Sequence, residues 1–363
     1  MAEEPDILFE VRGRIGLATL NRPKALNALT QTMCLAHHRQ LDAWRQDPGI
    51  DAVIVQGAGE KAFCAGGDVV ALYKSGQAFK AGDPKALDWR HFFHDEYRMN
   101  SAIHHFPKPY ISILDGITMG GGVGISVHGS HRIATEATMM AMPETGLGLI
   151  PEVGGGHFMP RLPGAAGMFL ALTGQRIRAA DCCYLGITQA YVSGERTDDL
   201  VDQLVNSPRL DHQRITEIVG QHSGDPGVGK IEPLRAEIDR LFAADTLDQL
   251  FEGLVADGSE WAQGLVALLS TKSPLSMRLT FRQMKEGAGL AFDDNMAMEF
   301  RIVNRILEGH DFYEGVRAIL LDKDNAPDWQ PHRLKDVSDE MVAAHFASLA
   351  ENELTFGPAL EVS

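Results

Sequence analysis

The sequence predicts an α/β fold over residues 1–203 and a helical C-terminal region over residues 204–363. Two observations carry this prediction. Strand-like and helix-like segments alternate several times in the first part, whereas nearly every segment beyond Glu232 has helical periodicity. Between them, residues 206–231 are rich in Gly, Pro, Ser and Asp, which indicates a connector.

The first part begins as strand, turn and helix. Residues 14–20 alternate as a strand, and Asn21–Pro23 is a turn signal. Residues 31–47 have helical periodicity, and Thr30 is a suitable N-cap for them. Further strands are predicted at residues 51–59, 108–116 and 131–141.

The C-terminal region is predicted to contain six helices, because apolar residues recur there at helical spacing. These helices are predicted at residues 233–243, 246–254, 260–270, 273–287, 292–308 and 312–322.

Composition excludes several classes of partner. A net charge of −16 argues against nucleic acid and against an anionic membrane surface, although local lysines can still bind a small anion. The sequence contains no run of 18 consecutive apolar residues, so it predicts no membrane span. The four cysteines form no CxxC pair, and the acidic first residues resemble neither a signal nor a transit peptide, so we expect a cytoplasmic protein.

Two glycine turns are candidate binding elements. Gly66 and Gly67, just before Asp68, can aim N–H groups at a ligand, or simply form a turn with Asp68 as N-cap. Gly120–Gly122 lie between a strand and a helix, which suits an anion or a developing oxyanion, or else tight backbone packing. Neither turn has the spacing of a dinucleotide-binding fingerprint.

The segment AMPETGLGLIPEVGGG contains two isolated carboxylates, Glu144 and Glu152. Buried carboxylates have raised pKa values, which suits acid–base chemistry. Glu152 has a second interpretation, as an acid at the N-terminus of a helix opened by Gly154–Gly156. A serine nucleophile elbow and zinc-ligand spacings are absent, and Cys64 is better explained as a small buried residue than as a nucleophile.

Four motifs in order resemble the crotonase, or enoyl-CoA hydratase/isomerase, superfamily. They are NRPKALNAL (21–29), FCAGGD (63–68), DGITMGGGVG (115–124) and MPETGLGLIPEVGGG (142–156). Residues 172–192 extend the match. Residues 92–100, 143–162 and 311–329 resemble the 3-hydroxyisobutyryl-CoA hydrolase branch. The resemblance implies a crotonase-type spiral of ββα units followed by a helical C-terminal region.

The resemblance also implies how an acyl-CoA would be held. The N–H groups of Gly67 and Gly121 would form an oxyanion hole for the thioester carbonyl. Arg22, Lys24 and Lys61 would supply positive charge for the phosphates of coenzyme A. Backbone around the following residues would bind coenzyme A: Lys24, Ala25, Leu26, Lys61 and Ala65.

The residue at position 124 differs from the superfamily's hydratases and helps to separate the activities. Hydratases use two carboxylates, and the first of these falls on Gly124, whereas the second is Glu144. The hydrolase branch has a second acid after GLxP, and this chain has Glu152 there, where Asp is common. Glu96 matches an acidic position that lines the acyl pocket of that branch.

The implied activity is hydrolysis of 3-hydroxyisobutyryl-CoA, or a closely related short 3-hydroxyacyl-CoA, in valine catabolism. Glu144 would attack the carbonyl or activate water, and Glu152 would anchor the 3-hydroxyl or tune Glu144. An enoyl-CoA isomerase, a hydratase and a non-catalytic acyl-CoA binder remain alternatives. We expect no metal, no cofactor beyond the coenzyme A of the substrate, and a homo-oligomer.

Overall fold

The computed structural model describes residues 4–83, 86 and 88–357. Its strands are β1 Ile7–Arg12, β2 Ile15–Leu20, β3 Ala52–Gly57, β4 Ala62–Cys64, β5 Tyr110–Leu114, β6 Ile117–Met119, β7 His131–Ala134, β8 Met139–Ala141, β9 Ile177–Arg178 and β10 Ala190–Tyr191. The N-terminal helices are α1 Gln31–Gln46, α2 Val69–Lys80, α3 Asp88–His104, α4 Gly121–Val127, α5 Gly155–Phe158, α6 Ala166–Thr173, α7 Ala179–Tyr184 and α8 Thr197–Val205. The later helices are α9 His212–His222, α10 Arg235–Phe242, α11 Leu247–Asp257, α12 Glu260–Leu269, α13 Pro274–Gly287, α14 Phe292–Glu308, α15 Asp311–Val316 and α16 Asp339–Phe346.

The strands form two sheets. The larger has the order β1-β2-β3-β5-β7-β10 and the smaller has the order β4-β6-β8-β9. The pairs β1–β2 and β8–β9 are antiparallel, and the other pairs are parallel. The chain alternates between the sheets: β3, β5 and β7 join the larger sheet, and each is followed by a strand of the smaller sheet and then a helix. This repeat confirms the predicted spiral of ββα units.

The structure differs from the predicted strands at residues 131–141. A turn at Thr135–Thr138 divides this segment into β7 and β8, which belong to different sheets. The Thr138 amide donates to the Thr135 carbonyl (3.1 Å), and the Thr138 hydroxyl accepts from the Thr135 amide (2.8 Å). Local hydroxyl bonds of this kind favour a turn over continued strand.

Residues 206–231, predicted as a connector, contain α9. Asp211 caps this helix by accepting from the Arg214 amide (2.8 Å), and the helix buries Ile215 and Ile218. The abundance of Gly, Pro and Ser obscured this amphipathic pattern. The predicted N-caps Thr30 and Asp68 are both confirmed, since their side chains accept from the amides of Met33 and Ala71.

All six helices predicted beyond Glu232 are present as α10–α15. Their apolar faces join the same hydrophobic core as strand residues, with Phe63, Phe169 and Phe312 among its fully buried members. A second core lies between the larger sheet and α8 and α9. The boundary at residue 203 stays a prediction. In the described part of the chain, no helix is long and apolar enough to cross a membrane.

Candidate active site

Three segments of the site follow three neighbouring strands of the smaller sheet. Gly67 follows β4, Gly121 follows β6 and Glu144 follows β8. These strands are parallel, so their carboxyl ends meet at one edge of the sheet. The fold therefore brings together residues that lie far apart in sequence.

The backbone of Gly67 and that of Gly121 lie close together. A methyl group built on Gly121 would lie only 3.2 Å from Gly67 N. Gly121 opens α4, so its N–H has no partner within the helix. In the part of the chain that the structure describes, neither amide donates to another backbone group. Two free N–H donors in one place suit a developing oxyanion.

Two buried carboxylates, Glu96 and Glu144, lie beside this glycine turn, and the charge of a third, Glu152, interacts with both. Glu96, Glu144 and Glu152 are 1%, 5% and 5% exposed. The Oε1 atom of Glu96 lies 2.5 Å from the methyl position of Gly121, and Oε1 of Glu144 lies 2.9 Å from that of Gly120. One oxygen of each carboxylate is buried without a hydrogen-bond partner among the described residues. Such oxygens are available to a ligand or to water.

Burial changes the protonation of this acid cluster, Glu96, Glu144 and Glu152. Burial raises the pKa of Glu96 to about 8 and that of Glu144 to about 8. The nearby ammonium of Lys272 partly opposes the rise at Glu144. The pKa of Glu152 lies well above its usual range because of burial and, next, the charges of Glu96 and Glu144. Carboxyl groups poised near neutral pH suit proton transfer.

Gly124 is tightly packed. A Cβ atom at this position would lie 2.6 Å from Cβ of Val153 and 3.0 Å from Nδ2 of Asn100. Contacts shorter than 3 Å require movement of the neighbour, and here the neighbour is a Cβ atom held by its own backbone. The protein thus has neither a carboxylate at position 124 nor the space for one.

The loop that carries Glu152 is held in an unusual conformation. Val153 has a φ of +51°, which is strained for a β-branched residue, and Gly154 has a φ of +88°. His128 donates from Nε2 to the Val153 carbonyl (2.7 Å), and burial lowers the pKa of His128 to about 3, so its ring is neutral. Glu299 accepts from the amides of Gly154 and Gly156, both at 2.7 Å.

Glu299, rather than Glu152, is therefore the acid that binds the free amides at Gly154–Gly156. This removes the interpretation of Glu152 as an acid that serves the start of that helix. Glu152 lies near the Tyr97 hydroxyl instead, and its charge interacts with those of Glu96 and Glu144. Sequence reasoning missed Glu299, although the helical periodicity of α14 places it on the buried face with Phe300 and Val303.

The predicted coenzyme A segments also come together. The Ala65 amide donates to the Leu26 carbonyl (3.0 Å), and Nδ2 of Asn27 donates to the Ala62 carbonyl (2.8 Å). Lys24 and Lys61 line a surface depression of about 460 Å³, and both are exposed. Ala25 is exposed on the single helical turn that precedes Leu26.

The surroundings of Arg22 and Cys64 limit the roles that these residues can have. Arg22 forms ion pairs with Asp68 (3.2 Å) and Asp6 (3.7 Å), so its charge is largely compensated within the chain. Cys64 is fully buried, and burial raises its pKa to about 12, which supports a packing role. Among the described residues, no group of three or more His, Cys, Asp or Glu side chains is arranged to hold a metal ion.

Comparison with known proteins identifies the family of this chain. The sequence model of the family described as enoyl-CoA hydratase/isomerase matches residues 15–346. The mitochondrial 3-hydroxyisobutyryl-CoA hydrolase of Danio rerio is 44% identical over 354 residues, 96% of this chain and 91% of the relative. That of Rattus norvegicus is 43% identical over 359 residues, 98% and 92% of the two chains. A carnitinyl-CoA dehydratase structure from Mycobacterium thermoresistibile has a TM-score of 0.89 and 38% identity, covering 97% of this chain and 99% of that one.

These relatives correct the expected location. Both curated relatives are named as mitochondrial, which points away from the cytoplasm, so the cytoplasmic prediction is wrong. Its basis was weak, because cysteine spacing reports only a reducing environment, which several compartments share. The length of the family match and the identity to both relatives together establish that this chain belongs to the enoyl-CoA hydratase/isomerase family.

Proposed function

We propose that this protein hydrolyses the thioester of 3-hydroxyisobutyryl-CoA, or of a closely related short 3-hydroxyacyl-CoA, to the free acid and coenzyme A in valine catabolism. One observation carries the choice of reaction. Oε1 of Glu144 lies 2.9 Å from the methyl position of Gly120, next to the free Gly121 amide, while Val153 fills the space that a second acid at position 124 would need. The names of the curated relatives support the choice of substrate.

The N–H groups of Gly67 and Gly121 bind the thioester oxygen. Attack on the carbonyl carbon converts that oxygen into an oxyanion, and the two donors stabilise the charge where water is excluded. Loss of one such donor typically costs about 3–4 kcal/mol in the barrier.

Glu144 is the catalytic carboxylate, and it has two possible routes. As a general base it takes a proton from water, the hydroxide adds to the carbonyl, and the C–S bond breaks as coenzyme A leaves with a proton. As a nucleophile its carboxylate displaces coenzyme A to give an anhydride, which water then cleaves. Both routes need Glu144 ionised.

The other two acids shape the acyl site. Glu96 lies against Gly121 and lines the space that the acyl group enters. Glu152 anchors the 3-hydroxyl or tunes Glu144, with whose charge its own interacts. A glutamate here keeps the carboxyl group of the more common aspartate with one additional methylene.

Coenzyme A binds along the segments that contain Lys24, Ala25, Leu26, Lys61 and Ala65. The exposed ammonium groups of Lys24 and Lys61 attract its phosphates, even though the whole chain carries a net charge of −16. Arg22 contributes less, because Asp6 and Asp68 already neutralise it. The reaction uses no metal and no cofactor beyond the coenzyme A of the substrate, and we propose that the protein forms a homo-oligomer.

A thiol-release assay over a small acyl-CoA panel tests this function. We expect free thiol from 3-hydroxyisobutyryl-CoA and slower release from isobutyryl-CoA. An isomerase, the strongest rival because one glutamate can shuttle a proton, would release no thiol. A hydratase would consume the enoyl absorbance of crotonyl-CoA without releasing thiol, and a non-catalytic binder would only bind.

A further inference from the structure

Asn100 is a fully buried polar residue whose side chain is unused. It is 0% exposed, yet neither Nδ2 nor Oδ1 has a hydrogen-bond partner among the described residues. A buried amide usually forms hydrogen bonds, and leaving it without them is costly. An unpaired amide beside an active site therefore suggests a group that awaits a ligand.

The position of Asn100 links it to the acyl site. It lies on α3 one turn after Glu96, so both side chains are on the same face of that helix. A Cβ atom at Gly124 would lie 3.0 Å from Nδ2 of Asn100 and 2.6 Å from Cβ of Val153, so the amide lies close to Val153. Val153 directly follows Glu152 in the strained loop. The amide thus lies against α4, near the loop of Glu152 and one helical turn from Glu96.

We propose that Asn100 binds the hydroxyl group of the acyl chain and sets the preference for 3-hydroxyacyl-CoA. This inference rests on the proposed function and deepens it. A hydroxyl group both donates and accepts hydrogen bonds, and an amide can match it with Oδ1 and Nδ2. The amide is also neutral, so it adds no further charge beside three buried carboxyl groups.

A substrate without the hydroxyl leaves the amide unpaired in the complex. Sites built to bind a polar group reject analogues that lack it for this reason. We expect the wild-type protein to prefer 3-hydroxyisobutyryl-CoA over isobutyryl-CoA by about 10- to 100-fold in kcat/KM, the effect of one buried hydrogen-bonded group.

The test compares Asn100→Leu with the wild-type protein on both substrates. Leucine has a similar volume and no polar atoms, so kcat/KM for 3-hydroxyisobutyryl-CoA should fall about 10- to 100-fold while that for isobutyryl-CoA changes less than about threefold. The variant should be at least as stable as the wild type, because the amide forms no hydrogen bond in the free protein. Asn304→Leu is the matched control. Asn304 is also buried but donates to the Phe300 carbonyl (2.7 Å), so its loss should lower stability and leave the substrate ratio unchanged.

Equal losses on both substrates in a folded Asn100→Leu protein would overturn the proposal. If that variant does not fold, Asn100→Ala is measured in the same way, and failure of both to fold would show that the amide has a structural role instead. If the wild type releases no thiol at all, the proposed function fails. The ratio is then taken from dissociation constants of the two acyl-CoA compounds, and a wild-type ratio near one would reject the role of Asn100.

Discussion

The acid cluster and Glu299 are all buried glutamates, but their hydrogen bonding differs. In the acid cluster, each carboxylate keeps one buried oxygen without a partner. Glu299 is equally buried, yet it accepts from Gly154 N, Gly156 N, Gln283 Nε2 (3.0 Å) and Asn295 Nδ2 (2.9 Å). Burial alone therefore does not identify a functional acid. Carboxylate oxygens without hydrogen-bond partners are available to a ligand or to water. The oxygens of Glu299 instead accept from amides and hold the loop of Gly154 and Gly156 in place.

The causes of the pKa shifts follow the same division. Burial raises the pKa of Glu299 to about 7, and its four N–H donors oppose that rise. The oxygens of Glu96 and Glu144 that remain unpaired lack comparable donors, and their pKa values rise to about 8. Four substitutions test this contrast, from the largest expected effect to the smallest.

Replacing Glu144 should have the largest effect on activity. We expect Glu144→Gln to lower kcat for thiol release by at least about 10³-fold, because both routes need the carboxylate. The variant should remain folded and bind coenzyme A nearly unchanged, since the group is not used to hold the structure. Thiol release and calorimetric titration with coenzyme A measure the two properties, and activity near that of the wild type would remove Glu144 from the mechanism.

Glu299→Gln should instead affect stability first. One acceptor oxygen becomes an NH₂ group that faces backbone N–H donors, so we expect a loss of roughly 2–4 kcal/mol in the free energy of unfolding. Thiol release should fall as well, because the strained Val153 conformation loses its support. Glu308→Gln, an exposed position on the same helix that loses only a surface ion pair with Arg90, is the matched control and should change stability by less than about 1 kcal/mol. Equal denaturation midpoints for the two variants would contradict the holding role.

Glu96→Gln tests the cost of the unpaired acids. The folded pKa of Glu96, about 8, is above its ordinary value, so the folded state retains a proton that the unfolded state has lost. Wild-type stability should therefore fall as pH rises from about 5 to 8. The variant has a neutral side chain at position 96. It should be more stable than the wild type at pH 8, by roughly 1–3 kcal/mol, and should differ little from it at pH 4. Urea unfolding at several pH values measures this, and parallel curves would refute it.

Lys272→Met should have the smallest effect. Its ammonium lowers the pKa of Glu144, so its removal raises that pKa further. The ionised form of Glu144 is the active one, so the rise of kcat/KM with pH should move to higher pH by up to about one unit. Activity at pH 7 would fall several-fold and recover at high pH. A fall that is equal at every pH would indicate a role unrelated to the charge.

Much of the fold could be predicted from the sequence because its signals are local. Thr30 and the helices beyond Glu232 have periodicity and capping patterns that short-range sterics decide. The division of residues 131–141 between two sheets could not be predicted, since each half alone has strand character and only Thr135 and Thr138 form the turn.

The site was predictable only where glycine and acid motifs cluster in sequence. Gly67, Gly121, Glu96, Glu144 and Glu152 are brought together, although their roles stay predictions. Glu299 and Lys272 reach the site from the C-terminal region, and their approach depends on tertiary packing. Asn100 was missed because a single amide in an amphipathic helix has no pattern of its own.

The contact between Gly124 and Val153 has an evolutionary consequence. A glutamate introduced at position 124, the simplest step towards a two-acid hydratase, would meet Val153 Cβ and disturb the loop of Glu152 before it could contribute to catalysis. A change at Val153 would have to come first, and that change would itself weaken a conformation held by His128 and Glu299. A second acid at position 124 thus requires at least two coordinated changes, which makes its gain by single substitutions unfavourable.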